Sequence, residues 1–269
     1  PPDRAPGPDG FSGALFKATS GIIIHDLFLA FQQLHGCNGA GLHLINGAHM
    51  FLLPKKDDPA TMSDYRPISL LHGVIKIFAK ILASRLAKRL DSLIAPVQSA
   101  FIKGRCIQDN FLFVQGMARH FHRTKRPMLL IKLDIAKAFD TISWEYLMEL
   151  MQQMGFPSRW RDWIALLLSS ATSSCMLNGD PGPSILHQCG LRQGDPMSPI
   201  LFNFIVDALS AMLRKAAAVG HIEGLVGHLI PGGVTHLQYF FFYCLLVLRD
   251  LHSIASVKAI LISFELMSG

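Results

Sequence analysis

Paired cysteines, metal-binding cysteine motifs and long uncharged apolar runs are all missing from this sequence. The five cysteines are scattered and none forms a CxxC pair, which argues against structural zinc and thioredoxin-like chemistry. Their odd number, with no signal peptide, indicates reduced thiols in an intracellular protein, in the nucleus or the cytoplasm. The longest uncharged apolar run, Tyr239–Leu248, has ten residues, fewer than the ~18 that span a bilayer. We therefore expect no membrane partner.

The positive charge of the chain is concentrated in one region. The net charge is +6 over 269 residues, but residues 55–132 contain fifteen Lys and Arg against five Asp, a net charge of +10. A basic region predicts a polyanionic partner such as nucleic acid or a nucleotide phosphate. Ordinary solvated surface is the alternative that charge alone leaves open.

Helical and strand patterns are mixed along the chain without the regular βαβ rhythm of a parallel sheet. Helical periodicity and helix-capping signals predict one helix or a pair over 14–35, and helices over 73–91, 107–122, 144–154, 159–170 and 198–217. Apolar runs predict strands at 49–53 and 128–133, with a hairpin formed by 173–178 and 184–189. Pro231-Gly232-Gly233 predicts a turn. These patterns together predict an α+β fold.

The stretch MLLIKLDIAKAFD at residues 128–140 carries the strongest chemical signal. A carboxylate at the end of a buried strand, such as Asp134, is costly unless it binds something positive. A divalent metal that handles phosphates is one such partner. The alternative is that Asp134 caps the next helix. Asp140 lies six residues further along, and we expect it to be structural.

Six blocks in a fixed order resemble the reverse transcriptases of non-LTR (LINE-type) retrotransposons. They are APGPDGF (5–11), LLPKKDDPATMSDYRPISLL (52–71), IFAKILASRL (77–86), QSAFIKGRCIQDN (98–110), KLDIAKAFD (132–140) and GLRQGDPMSPILFNFIVDAL (190–209). The resemblance implies a right-hand polymerase. Fingers and a fingers–palm connection are expected over 1–125, and an antiparallel palm sheet with packed helices over 126–269, without a thumb. An intron maturase is a related alternative, against which YRPISL and AFIKGR argue.

The resemblance also implies a metal site and a nucleotide site. Asp134 matches the first metal-binding aspartate, and the backbone carbonyl of Ile135 would be the Mg²⁺ ligand beside it. Phe139 matches the bulky residue under the sugar of the incoming nucleotide, where a ring blocks a 2′-hydroxyl; core packing is the alternative. Gln193 and Gly194 match the loop that holds nucleotide and template, although this stretch could be a simple turn before a helix.

Four cations match residues that face the triphosphate or lie near it: Arg66, Lys103, Arg105 and Lys137. Arginine suits phosphate because its planar fork donates paired, charge-assisted hydrogen bonds. For Lys137 a solvated position at a strand end is the alternative.

The family's Tyr-x-Asp-Asp turn is disrupted in this chain. Tyr239 is present, but Phe241 and Phe242 occupy the positions of the two aspartates. Two metal ions ~3.5–4 Å apart need several carboxylates, and phenylalanine cannot ligate Mg²⁺. We therefore expect weak or absent Mg²⁺ binding and a catalytically inactive polymerase. Because Tyr239–Leu248 lacks Gly, Asn and Asp, it predicts one long buried strand instead of a hairpin.

The partners implied by the resemblance are an RNA template, a DNA primer and dNTPs, with an endonuclease domain on a longer parent protein. Two alternatives stay open: a non-enzymatic nucleic-acid-binding remnant and a non-functional pseudogene product. A gene-model error and drift in an inactive element would each produce the local loss of the two aspartates.

Overall fold

The structure is a computed structural model that describes residues 5–36, 39–135, 137, 139–227, 230, 233–239, 242–248 and 250–269. Its helices are α1 (Gly13–Ala18), α2 (Ser20–His35), α3 (Leu42–Ile45), α4 (Gly73–Ala87), α5 (Leu90–Leu93), α6 (Ile107–Thr124), α7 (Trp144–Gln153), α8 (Ser158–Ser169), α9 (Ser198–Ala218) and α10 (Leu251–Ser268). Its strands are β1 (Gly47–Pro54), β2 (Tyr65–Leu71), β3 (Met128–Asp134), β4 (Thr172–Leu177), β5 (Asp180–Leu186), β6 (His236–Tyr239) and β7 (Phe242–Leu248).

Most helices and strands predicted from periodicity are present within a few residues of their expected ends. The Ser143 hydroxyl caps α7, since its oxygen accepts a hydrogen bond from the Tyr146 N–H at 3.2 Å. The helix expected over 73–91 is instead divided into α4 and α5. The turn expected at Pro231-Gly232 lies outside the described residues.

The first compact unit comprises Pro1–Arg85 and Phe139–Pro199. Its four-stranded sheet has the order β2-β1-β4-β5, in which β1 pairs antiparallel with β2 and parallel with β4. The β4–β5 turn is tighter than expected, because Asn178 and Gly179 both adopt positive φ, 51° and 96°, as two-residue hairpin turns require. Helices α7 and α8 pack together in the same unit.

The second unit comprises Leu86–Ala138 and Ile200–Gly269. Its antiparallel sheet has the order β3-β7-β6, so β7 is the central strand. A core cluster covers part of this sheet with side chains from α6 and the strands, including Met117, Phe121, Leu237 and Leu246. The division into fingers and palm at residue 125 is a functional one and stays a prediction.

The prediction of one long strand over Tyr239–Leu248 is wrong. β6 ends at Tyr239, β7 begins at Phe242, and the two strands pair antiparallel with these residues opposite each other. A central strand needs hydrogen-bond partners on both edges, and β6 supplies those of β7 on one side. Backbone pairing therefore outweighs the missing turn residues. Phe240 and Phe241 lie outside the described residues.

A buried histidine lies at the start of β6. The His236 ring nitrogens are 2.5 Å from Ser210 Oγ and 2.9 Å from Thr235 Oγ1, and the Arg214 Nη1 group donates to the same serine oxygen at 3.2 Å. Burial, helped by the charge of Arg214, lowers the pKa of His236 to about 4. The ring is therefore neutral in the folded chain at pH 6.

This pKa predicts acid destabilisation of the second unit. The unfolded chain binds the His236 proton near the ordinary pKa of 6.5, whereas the folded chain binds it only near 4. Stability from this group is therefore intact above pH 6.5 and falls as the pH drops toward 4, by roughly 3 kcal/mol in total. Urea unfolding between pH 7 and 4 should show a steeper loss for the wild type than for His236→Gln. Burial also lowers the pKa of His72 and His187, but the wild type and His236→Gln both contain these histidines, so they do not affect the comparison. If the two proteins lost stability equally as the pH falls, the prediction would be contradicted.

Candidate functional site

Asp134 is the last residue of β3, on the exposed face of that strand. Leu130, Lys132 and Asp134 are exposed, and the residues between them, Ile131 and Leu133, are half-buried. The expectation of a carboxylate at a buried strand end is therefore wrong, because one face of β3 is open to solvent. Burial gives no argument for a counter-ion at Asp134.

Position 242 lies directly opposite Asp134 on the neighbouring strand. The β3–β7 register runs from Met128 opposite Leu248 to Asp134 opposite Phe242. Directly opposite positions share one face of the sheet, with Cβ atoms ~4.5–5.5 Å apart. Position 242 is therefore the backbone partner of Asp134, and the residue at that position is phenylalanine. Phe241, the other substituted position, lies outside the described residues.

The described residues do not fit the ligand requirement of a two-metal site. Within the parts of the chain that the structure describes, no group of three or more His, Cys, Asp or Glu side chains could hold a metal ion. Ile135 follows β3 directly, and its carbonyl stays a predicted ligand. Asp134 with one carbonyl oxygen cannot hold two divalent cations at the short separation that this chemistry requires.

In the first unit, the loop 190–195 brings together three of the sequence blocks. The Leu191 N–H donates to the Phe139 carbonyl at 2.6 Å, which ties the loop to the end of the KLDIAKAFD block. The Ser69 N–H of β2 donates to the Gln193 carbonyl at 2.8 Å, which ties the loop to the YRPISL block. The backbones of Phe139 and Gln193, both predicted to contact the nucleotide, are thus held by one loop.

Glycine is required at two positions of this loop. Gly194 has a φ of 113°, and a Cβ there would lie 2.4 Å from the Ser69 carbonyl oxygen. Gly190 has a φ of 77°, and its Cβ would lie 2.5 Å from the Asp140 carbonyl oxygen. Glycine therefore lets the backbone of the loop lie directly against β2 at Gly194. Contact of Gly194 with a nucleotide stays a prediction.

The remaining predicted residues divide into buried and exposed groups. Phe139 is only 7 % exposed, which agrees with the core-packing alternative, and its place under a sugar stays a prediction. Arg66 on β2 and Lys103 are exposed, as is Lys137, which has a left-handed backbone with φ 50°. These exposed cations keep their predicted roles.

Arg105 is engaged inside the second unit. Its Nη2 donates to Asp91 Oδ1 at 2.8 Å, and its Nη1 donates to the carbonyls of Ala95 and Gln98 at 2.5 and 2.7 Å. These bonds occupy much of the guanidinium fork that a phosphate would need. The geometry therefore favours a structural role for Arg105, in fixing the segment 91–105.

Sequence reasoning missed the buried ion pair that supports the loop 190–195. Arg192 donates from Nη1 to the Asn46 carbonyl at 2.8 Å and from Nη2 to Asn46 Oδ1 at 2.5 Å, and lies 3.6 Å from Asp195 Oδ2. Asp195 Oδ1 also accepts from the Met197 N–H at 2.8 Å. Burial raises the pKa of Asp195, and Arg192 acts in the opposite direction. In the sequence, the signal that could have indicated this pair is Asp195, three residues after Arg192.

The QSAFIKGRCIQDN block also has a structural role that the sequence did not indicate. Asn110 Nδ2 donates to the Gln238 carbonyl at 2.9 Å, and the Gln238 N–H donates to the Val97 carbonyl at 3.2 Å. These two bonds hold β6, the strand that leads to Tyr239. The Gln98 side-chain Nε2 donates to Asn203 Oδ1 at 3.2 Å and ties the block to α9.

Residues 53–240 match the family described as reverse transcriptase (RNA-dependent DNA polymerase). The chain belongs to this reverse transcriptase family. The match includes the end of β3, the loop 190–195 and all of β6, and therefore most of the candidate site residues.

Relatives from retrotransposons identify this reverse transcriptase domain as the non-LTR type. The retrovirus-related Pol polyprotein from type-2 retrotransposable element R2DM of Drosophila melanogaster is 31% identical over 222 residues, covering 81% of this chain and 20% of that protein. The corresponding type-1 R2 polyprotein of Popillia japonica is 27% identical over 223 residues, covering 82% and 30%. The transposon TX1 149 kDa protein of Xenopus laevis is 32% identical over 168 residues, covering 62% and 13%. The reverse transcriptase domain described here thus spans less than a third of each relative.

Solved telomerase structures share the fold. Apo telomerase from Candida tropicalis, truncated from the C-terminal domain, aligns with a TM-score of 0.55 at 13% identity, covering 83% of this chain and 47% of that one. Telomerase from the same species in complex with a telomeric RNA fragment aligns with a TM-score of 0.53 at 10% identity, covering 80% and 38%. The α+β polymerase fold expected from the sequence is therefore confirmed.

The glycine contact predicts a specific loss of stability in the first unit. Gly194→Ala adds a Cβ 2.4 Å from a carbonyl oxygen, whereas Gly179→Ala, at a similar φ of 96°, meets nothing within 4 Å. Left-handed strain should cost both variants about 1–2 kcal/mol, and the close contact should cost Gly194→Ala roughly 1–3 kcal/mol more. Urea unfolding of both variants measures the difference. If both variants lost the same free energy of unfolding, the loop would not be in close contact with β2 at Gly194.

Proposed function

We propose that this reverse transcriptase domain descends from an RNA-directed DNA polymerase and no longer catalyses DNA synthesis. Reverse transcriptases use divalent metal ions, and the expected metal here is Mg²⁺. The observation that carries the proposal is the β3–β7 register, in which Phe242 occupies the place directly opposite Asp134. Removing one preorganised charge-stabilising group commonly costs ~10²–10³-fold in rate. Loss of two metal-binding carboxylates should cost more.

The proposed substrates follow from the family and from the geometry of the first unit. An RNA template agrees with the telomerase neighbours, some of which were solved with a telomeric RNA fragment. A DNA primer and dNTPs follow from the reaction of the family. The backbone hydrogen bonds of Phe139 and Gln193 would hold the nucleotide-facing loop in place without the metal ligands. An endonuclease domain on a longer parent protein agrees with the much greater length of the relatives.

Primer extension on an RNA template tests the loss of activity. The wild-type chain should give no template-dependent product with Mg²⁺ or Mn²⁺. The double variant Phe241→Asp/Phe242→Asp should increase extension by at least ~10²-fold over the wild-type background, because it restores the two carboxylates of the family's Tyr-x-Asp-Asp turn.

Asp134→Asn in the double variant is the matched control, and it should abolish the restored extension. Clear product from the wild type would refute the proposal, and an inactive but folded double variant would refute the metal-ligand explanation. A wild-type chain without a cooperative unfolding transition would instead favour a non-functional pseudogene product.

A second candidate function is nucleic-acid binding without catalysis. Of the fifteen Lys and Arg in residues 55–132, all but Lys76 and Arg105 are exposed. Exposed cations are available to phosphates, whereas buried ones are not, so this region has the charge and the access that RNA binding needs.

The salt dependence of RNA binding tests this second function. Fluorescence anisotropy with single-stranded RNA should show an affinity that falls steeply with salt. In Arg119→Gln/Arg123→Gln on α6, the slope should be less steep by ~0.7 for each phosphate that the variant no longer neutralises. The control Lys17→Gln/Lys215→Gln removes two exposed cations outside the basic region and should leave the slope unchanged. An RNA affinity that does not depend on salt concentration would exclude this function.

A further inference from the structure

Helix α10 has one buried face and one exposed apolar face. The inward stripe is buried and consists of Ser253, Val257, Phe264 and Ser268. The residues on the opposite side of the helix form an outward stripe of Ala255, Ala259, Ile262 and Leu266, all of them exposed. Leu266 is 82% exposed and Ile262 is 47% exposed. A helix on a protein surface normally directs polar residues outward.

The side chains of the outward stripe change from small to large along the helix, so the stripe is complementary to an antiparallel copy of itself. It reads small, small, large, large along the chain, from Ala255 to Leu266. In an antiparallel pair of α10 helices about a two-fold axis, Ala255 lies opposite Leu266 of the second copy, and Ala259 lies opposite Ile262 of the second copy. Each large side chain then meets a small one, so the two helices can approach closely.

The two charged residues of α10 fit the same arrangement. Lys258 and Glu265 are seven residues apart, two helical turns, so they lie on the same side of the outward stripe. The two-fold axis that matches the apolar stripe brings Lys258 near Glu265 of the second copy, and does so twice. Flanking pairs of this kind set partner choice and orientation in paired helices.

We propose that the outward stripe of α10 binds the same stripe of a second copy of this chain, forming an antiparallel two-helix dimer interface. This inference is independent of the proposed function. Eighteen helical residues extend for about 27 Å, and a single pair of such helices buries less than the ~1,200–2,000 Å² of a standard interface. The dimer is therefore weak and forms in a concentration-dependent manner.

A membrane is the competing occupant of this face. By its length and apolar composition α10 could cross a bilayer, and it is not a core helix, because only 22% of its 18 residues are buried. The sequence expectation considered uninterrupted apolar runs only, and α10 is interrupted by Lys258 and Glu265. Lys258 lies near the middle of the helix, where a charge in a bilayer costs about 2.5–3.5 kcal/mol or more. The paired helices instead give both charges an opposite partner.

Sedimentation equilibrium over a wide concentration range tests the dimer. The wild type should dimerise, and Glu265→Lys should weaken the dimer roughly tenfold, because Lys258 then faces a lysine twice. Lys258→Glu should have a similar effect. The exchanged variant Lys258→Glu/Glu265→Lys should recover dimerisation close to that of the wild type, since both pairs are restored with reversed polarity. Asp26→Lys, an exposed charge reversal on α2, should leave dimerisation unchanged.

Three outcomes would overturn the proposal. A wild type that stays monomeric at every concentration excludes the dimer, and an exchanged variant as weak as the single variants excludes the charge pairing. Wild-type binding to phosphatidylcholine vesicles in place of dimerisation would assign the stripe to a membrane. Circular dichroism and urea midpoints for each variant ensure that only folded proteins are compared.

Discussion

The antiparallel pairing of β3 with β7 is the constraint on which the candidate site depends. Backbone hydrogen bonds fix the register, and the register places position 242 opposite Asp134. Side chains at opposite positions share one face and lie a few ångströms apart. The ladder itself is built from main-chain groups, so it persists whether position 242 holds aspartate or phenylalanine. A substitution at this place therefore changes the side chain without removing the sheet that positions it.

The loop 190–195 of the first unit is likewise held in place by contacts that do not involve the predicted metal ligands. It is held by main-chain hydrogen bonds to Phe139 and Ser69, by the fit of Gly194, and by the buried Arg192–Asp195 pair on Asn46. None of these contacts uses a metal or a substrate. The shape of this loop therefore does not depend on which residues occupy the predicted metal-ligand positions.

The sequence predicted what periodicity, caps and order of motifs determine. The limits of α6, α9 and β3 follow from apolar spacing, and the start of α7 follows from Ser143. Prediction from the sequence failed where the local structure depends on segments that are distant in the chain. The hairpin at Tyr239 depends on a central strand that needs two neighbours, and the exposure of Asp134 depends on the open face of β3. No sequence signal marked Asn46, and Arg105 was assigned to the triphosphate; the hydrogen bonds that each residue makes inside its own unit are visible only in three dimensions.

The central claim is that one carboxylate opposite a phenylalanine cannot hold the metal ions of a polymerase. Mn²⁺ titration followed by electron paramagnetic resonance measures this directly, without template, primer or turnover. We predict that the wild-type chain shows no saturable Mn²⁺ site that depends on Asp134, so that Asp134→Asn gives the same titration curve. One or two saturable Mn²⁺ ions per chain that no longer bind to Asp134→Asn would contradict the account.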